Sequence, residues 1–317
     1  MPTLHEILVQ SASAQAAIVG NLVKNLGVLS TAQVGFSSDY LRHEYVVATA
    51  DPTAAVRAVG GSIVPSSGNE ITASIQLPQI GSYVSADVEK VLKFGSLQAY
   101  LNQPNRTEAY TRACLQKLET AAIYGDNATF GVSGAFKGFH QIAKANSAVS
   151  AQLGGASGSR TSIFAVHYSP DEVQFVIPPM STGLMVNAEL IGGGTLQGIT
   201  TNTTTDARKL TYEAYFWLNA AFQAGHNYSV GAITQADSTH KPTSIQIDAL
   251  IDSVKGLADG MTFIYVNRTG RQYLRNLKST MYVDTSNTAY NTEVASWNGI
   301  PIILTESILS TETTALD

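Results

Sequence analysis

Apolar and polar positions alternate in different rhythms along the chain, and each rhythm predicts an element. Leu4, Ile7, Leu8, Ile18, Leu22 and Leu26 are spaced as short amphipathic helical pieces, with Gly27 as their stop. Further on, Ile71, Ala73, Ile75 and Leu77 alternate with Thr72, Ser74 and Gln76 in strand fashion. Gly60-Gly61, Pro65 and Ser66-Ser67-Gly68 punctuate this region as a long hairpin-like excursion. From Val46 to Ser82 there is no Phe, Tyr or Trp and only one Leu. A segment so poor in bulk cannot build its own core, and isolated hairpins are marginal in water. Its partner surface is therefore expected on another chain.

Residues 103–124 carry the clearest long helix. Asn102 or Gln103 can cap it, Pro104 suits its first turn, Cys114, Leu118, Ala121 and Ala122 fall at helical spacings, and Gly125 ends it. At 1.5 Å per residue it spans about 30 Å, long enough for a spine. Residues 161–178 read as a strand, a turn with Pro170 at its second position, and another strand. Large side chains at consecutive positions of 211–223 predict a strand covered on both faces. Between these, the stretches GGGTLQG and TTNTTTD read as a loop.

From residue 244 the rhythm becomes helical. Ile247, Leu250, Ile251, Val254 and Leu257 form one face behind a Thr243 or Ser244 cap, and Asp259-Gly260 stops that helix. FIYV follows as a buried strand, Asn267 caps a second helix with Tyr273, Leu274 and Leu277 inside, and Trp297-Asn298-Gly299 turns into the strand IPIIL. Residues 244–304 thus predict a compact α/β unit and a candidate second domain.

Composition narrows what such elements can do. Charged residues make up 14% of the 317-residue chain against 44% hydrophobic, so the surface is rich in small polar groups, which suits association. A net charge of -5 argues against general nucleic-acid binding, which needs a basic excess. The lone Cys114 excludes an intrachain disulfide and points to a reducing compartment. The N-terminus lacks the charged start and apolar block of a signal peptide, and no segment reaches the ~18 apolar residues of a membrane span. The Asn-x-Ser/Thr sequons at Asn105, Asn127, Asn202, Asn227 and Asn267 are expected to be incidental.

Candidate chemistry changes the picture little. His5, His43, His140, His167, His226 and His240 lie far apart and match no metal-binding spacing. Ser133 in GVSGA and Ser157 in GASGS are not nucleophile elbows, and Gly192-Gly193-Gly194 lacks the rest of a phosphate loop. Asp171-Glu172 reads as a solvated turn pair, and Cys114 as a packed side chain rather than a nucleophile. No catalytic constellation, cofactor site or metal site is predicted. Arg268, Arg271, Arg275 and Lys278, spaced by three, four and three, share one side of a helix. That stripe can be an anion surface, a solvated face or an inter-subunit contact, and the negative total favours the latter pair.

Taken in order, AAIYGDN, TSIFAVHYSPDEVQFVIP, GLMVNAEL, FIYVNRTGRQYLRNL and WNGIPIIL resemble the major capsid proteins of tailed bacteriophages, which have the Hong Kong 97 fold. The resemblance covers nearly the whole chain. It implies an α+β fold with an N-terminal arm over 1–42 and an extended β-hairpin loop over 43–86. A peripheral domain over 87–243 with its spine helix at 103–124, and an axial domain over 244–317, complete it. In the commonest version a unit like 244–304 precedes the last peripheral strands; here those strands come first, which implies a reordered topology.

On this resemblance the chain is a structural subunit, not an enzyme, that assembles into hexamers and pentamers of an icosahedral shell around double-stranded DNA bound without sequence preference. It implies a virion location after assembly in the host cytoplasm, no membrane, and a separate scaffolding protein, portal and decoration or cement protein as partners. The scaffold is expected to be separate because the chain starts almost at the arm. Some members cross-link their shells through a loop lysine; between Tyr45 and Glu89 this chain has none, so no isopeptide bond is expected. The candidate inter-subunit contacts are Arg268, Arg271, Arg275 and Lys278 with Arg57, Glu70, Ile71, Ile75 and Leu77 of the loop. An encapsulin-like compartment with protein cargo and a tail-associated hydrolase are the alternatives; the latter needs a nucleophile or carboxylate pair that the motifs do not supply.

Overall fold

The computed structural model describes residues 26–50, 53–57, 59, 62, 63, 66, 69–101, 103, 106–127, 129, 131, 132, 134–145, 151–169, 173–179, 187–190, 197–202, 207–225, 229–254, 260–278 and 296–313. Helix α1 (Gly27–Thr31) and strand β1 (Val34–Phe36) lead into a hairpin of β2 (Arg42–Ala50) and β3 (Asn69–Gln76), and the chain returns as β4 (Gln79–Asp87). Helices α2 (Val88–Leu92), α3 (Leu97–Leu101), α4 (Arg106–Tyr124) and α5 (Phe139–Ala145) follow. Then come β5 (Ala151–Gln152), β6 (Thr161–Tyr168), β7 (Val173–Ile177), β8 (Asn187–Leu190), β9 (Gln197–Asn202), β10 (Ala207–Asn219), β11 (Ala221–Ala224) and β12 (Val230–Ala236). Helix α6 (Ser244–Ser253), β13 (Met261–Val266), α7 (Arg268–Lys278), β14 (Ser296–Trp297) and β15 (Ile300–Leu304) complete the order.

Helix α4 is the predicted spine. It begins at Arg106 rather than residue 103, and its inner side is Thr111, Cys114, Leu115, Leu118, Ala121 and Ala122. Leu115 and Leu118 are wholly buried, each contributing about 2 kcal/mol by removal from water. Gly125 stops the helix as expected: its φ is +56°, and its N–H bonds to the Ala121 carbonyl at 2.8 Å. A side chain there would also strike the backbone of Gly138, so paired glycines let α5 begin against the end of the spine.

A six-stranded sheet in the order β14-β15-β13-β6-β12-β5 separates two cores. Alternate residues of β6 serve them in turn: Phe164 and Val166 face the larger core with α4 and α5, while Ile163 and Ala165 face the smaller one. Strand β13 repeats the pattern, with Tyr265 on the first side and Ile264 and Val266 on the second. Ile247, Leu250 and Ile251 of α6 and Leu274 of α7 close the smaller core. Both helices are capped as their sequences require. Thr243 and Gln246 form a reciprocal capping box before α6, and Asn267 Oδ1 accepts from the Gly270 N–H at 2.7 Å before α7. Asn267 is buried and so occupied, which removes it as a glycan acceptor.

Several sequence expectations need correction. Gly27 opens helix α1 after an extended Leu26, and a Cβ there would collide with the Leu304 carbonyl oxygen across the fold. Residues 211–223 form two strands: β10 pairs along β4 from Thr211↔Asp87 to Asn219↔Gln79, and after Ala220 the chain crosses to another sheet as β11 beside β7. Residues 197–202, read as loop, are strand β9 paired with β10, since a ladder partner can hold polar residues extended. The two strands expected within 161–178 are present as β6 and β7; they meet at a Ser169↔Val173 bridge and then diverge into different sheets. The division after residue 243 cuts one continuous sheet, because β13 pairs with β6 from Met261↔Tyr168 to Tyr265↔Phe164. The expected helical pieces over 4–22, Pro170, Asp171-Glu172 and the 192–194 glycines lie outside the described residues.

Candidate inter-subunit surfaces

The β2–β3 hairpin is amphipathic in a way that its sequence dictates. In register, His43, Tyr45 and Val47 oppose Ile75, Ala73 and Ile71 on one face, while Arg42, Glu44 and Val46 oppose Gln76, Ser74 and Thr72 on the other. The first face is half-buried near its root, where His43 Nε2 meets Gln223 Oε1 at 3.0 Å and Ile75 packs on the larger core. It opens outward, so that Ile71 is 53% exposed, and Val56 and Val59 in the tip region are fully exposed. The two strands pair with each other and with no other described strand. Between the apolar face and Phe136, Ile142 and Phe222 lies a groove of about 780 Å³.

The loop residues singled out from the sequence divide accordingly. Arg57 is exposed, Glu70 is exposed on the polar face, and Ile71 is exposed on the apolar one. Leu77 is a correction: it is only 4% exposed and belongs to the core of its own chain, because β3 has by then re-entered the body. Ile75 is half-buried at the same junction.

The basic stripe lies on the outer side of α7. Arg268 and Arg275 are exposed and Arg271 is half-buried; the side chain of Lys278 lies outside the described residues. Arg268 Nε pairs with Glu306 at 2.6 Å, an exposed contact of small energetic consequence. Arg268, Arg271, Gln272, Arg275 and Asn276 line a groove of about 460 Å³ with Leu304.

The buried polar groups form a structural junction that sequence reading missed. Glu119, inside α4, accepts from the Val28 N–H at 2.7 Å, the Thr305 hydroxyl at 3.1 Å and the Ser307 hydroxyl at 2.6 Å. Burial raises its pKa, and those three donors oppose the rise. Glu312 accepts from Tyr124 at 2.9 Å and Ser162 at 2.8 Å, and burial pushes its pKa up to about 7. The spine thereby holds segments from both ends of the described chain. One signal was available: Glu119 sits four residues after buried Leu115, on the apolar side of its helix.

Cys114 is buried with its Sγ 3.7 Å from the Phe216 carbonyl oxygen, and burial raises its pKa, as suits a packed thiol. Among the described residues no group of His, Cys, Asp and Glu could hold a metal ion. No described helix is long and apolar enough to cross a membrane.

Comparison with solved structures gives the fold. The chain is similar to a protein in the structure of bacteriophage epsilon15, at 17% identity over 92% of this chain and 89% of that one, with a TM-score of 0.61. It is also similar to a protein of the bacteriophage JBD30 capsid, at 12% identity over 97% and 99%, with a TM-score of 0.50. The fold is that of a tailed-phage capsid protein. The chain belongs to the family described as major capsid protein GP7, whose model matches residues 10–315. It is a structural subunit of a phage shell, in a family of structural proteins rather than enzymes, and neither the compartment nor the hydrolase alternative is favoured. No curated protein matches it.

Proposed function

We propose that the subunits close into rings of five and six, and that the hairpin of each copy lies over its neighbour. The observation that carries this reading is the hairpin's apolar face, half-buried at its root and open from Ile71 outward. A two-stranded hairpin standing alone is marginal, so burial against a second copy would stabilise it. The β2–β3 hairpin then acts as the extended loop, α4 as the spine of the peripheral part, and the six-stranded sheet with α6 and α7 as the axial part around which rings close. The α7 stripe contributes a contact between axial parts, together with Arg57, Glu70 and Ile71 of the loop. Many interfaces of ~800 Å² per partner make individually weak contacts collectively strong.

The shell encloses double-stranded DNA without reading its sequence, and the net charge of -5 favours a container wall from which DNA moves freely. Its assembly, in the host cytoplasm, engages a scaffolding protein, a portal and a decoration or cement protein as separate chains. With no lysine between Tyr45 and Glu89, the loop offers no amine for an isopeptide lock. Electron microscopy of the purified chain, alone and co-expressed with scaffold candidates, tests the reading. Rings of five and six or closed shells are expected; uniform monomers or dimers in both samples would overturn it.

A further inference from the structure

The outer faces of α6 and α7 carry opposite charge at the same pitch. On α6, Ile245, Ala249 and Asp252 are exposed and Asp248 is half-buried. On α7 the corresponding outward set is Arg268, Gln272, Arg275 and Asn276, with Arg271 half-buried. Asp248 and Asp252 are four residues apart, and so are Arg271 and Arg275. Each pair is therefore spaced about 6 Å along its helix. Trp297 Nε1 and Asn298 Nδ2 hold Asp248 at 2.7 and 2.8 Å, both through Oδ1, so an arginine can be accepted through Oδ2 without breaking either bond.

Shape agrees with charge. Ile245 is 78% exposed one turn before Asp248, an apolar knob beside the acidic ladder. The groove along the basic ladder is lined in part by Leu304, an apolar group among arginines. Both helices close the smaller core on the same face of the six-stranded sheet, so the two ladders belong to different places on one layer. A surface that complements a different surface of the same molecule makes a head-to-tail contact, which closes into a ring where the rotation between copies permits it.

We infer that the basic face of α7 in one copy docks on the acidic, Ile245-bearing face of α6 in the next copy around the ring. This rests on the ring-forming reading above and supplies the surface that the α7 stripe meets. Opposite ladders would steer the encounter and set the register, while like charges facing each other would oppose it.

The test changes charge on the outer faces of the two helices in the full chain. Arg271→Glu with Arg275→Glu, and separately Ala249→Arg with Asp252→Arg, should each leave the circular dichroism of the subunit unchanged and cut ring formation by about tenfold or more. Combining all four changes in one chain should restore rings, because the reversed ladders match again. Mixing the two double variants gives a sharper reading. Each accepts only the other as neighbour, so copies must alternate, and six-membered rings should return while five-membered rings do not.

The failures are separable. If the wild-type chain forms no rings, the proposed function itself falls. If the α7 double variant assembles normally, the stripe is not an interface, and an anion or nucleic-acid surface takes its place. If the α7 variant is blocked but neither the four-fold variant nor the mixture recovers rings, α6 is not the partner and this inference is overturned, while the stripe contact stands.

Discussion

The Tyr124 hydroxyl donates to Glu312 Oε1 at 2.9 Å across 188 residues of sequence, at the buried end of the spine helix. The Tyr124 hydroxyl oxygen in turn accepts the Leu309 N–H at 2.8 Å, so one side chain secures two points of the closing segment. Tyr124→Phe removes the donor and strands both partners, which should cost about 2 kcal/mol. Urea unfolding of the unassembled subunit measures this; an unchanged midpoint would mean that the bond contributes nothing net.

The Glu312 pKa gives a signed pH dependence. Its value rises from an ordinary 4.5 to about 7, because burial penalises the charged form. The folded chain therefore holds the proton more tightly than the unfolded one. Stability from this group is greatest below about pH 4.5, falls as the pH climbs towards about 7, and is level above, a change on the order of 3 kcal/mol. Glu119 shifts in the same direction and adds to the slope. Glu312→Gln should flatten the fall in denaturation midpoint between pH 5 and pH 7; the wild-type slope persisting in that variant would refute the assignment.

Cys114 should be silent to a thiol reagent in the native subunit and react stoichiometrically once unfolded, since it is 1% exposed. Rapid labelling under native conditions would contradict its packing against β10.

Gly125→Ala should destabilise the subunit by about 2 kcal/mol or more, because a side chain at φ +56° is strained and this one also meets Gly138. Gly134→Ala, at positive φ but in open space, should cost less. Thermal unfolding of the two variants side by side separates the clash from the backbone conformation.

Aspartates at Val56 and Val59 should leave the unfolding midpoint of the free subunit nearly unchanged, since both side chains are fully exposed. If the hairpin lies over a neighbour, the same variant should lose shells in electron micrographs. Normal shells would remove the hairpin tip from the interface.

Elements whose signals are local were legible in the sequence. The capping box at Thr243, the Asn267 cap, the left-handed Gly125 and the apolar side of α4 are each written within a few residues. What was missed depends on distant partners. Gly27 is required by the Leu304 carbonyl, β9 is extended because β10 pairs with it, and Leu77 is buried because β4 carries the chain back into the body. Glu119 falls between: its helical position marks it as inward, but only Val28, Thr305 and Ser307 reveal why a carboxylate is tolerated there.

The clasp at Glu119 also has a mechanical side. Val28 pulls on one of its oxygens from the start of the described chain, and Ser307 holds the other from near its close. Tension applied to either segment is delivered to the last third of the spine, where the load is carried by a few short polar links. A wall that swells from within would stretch these joints together.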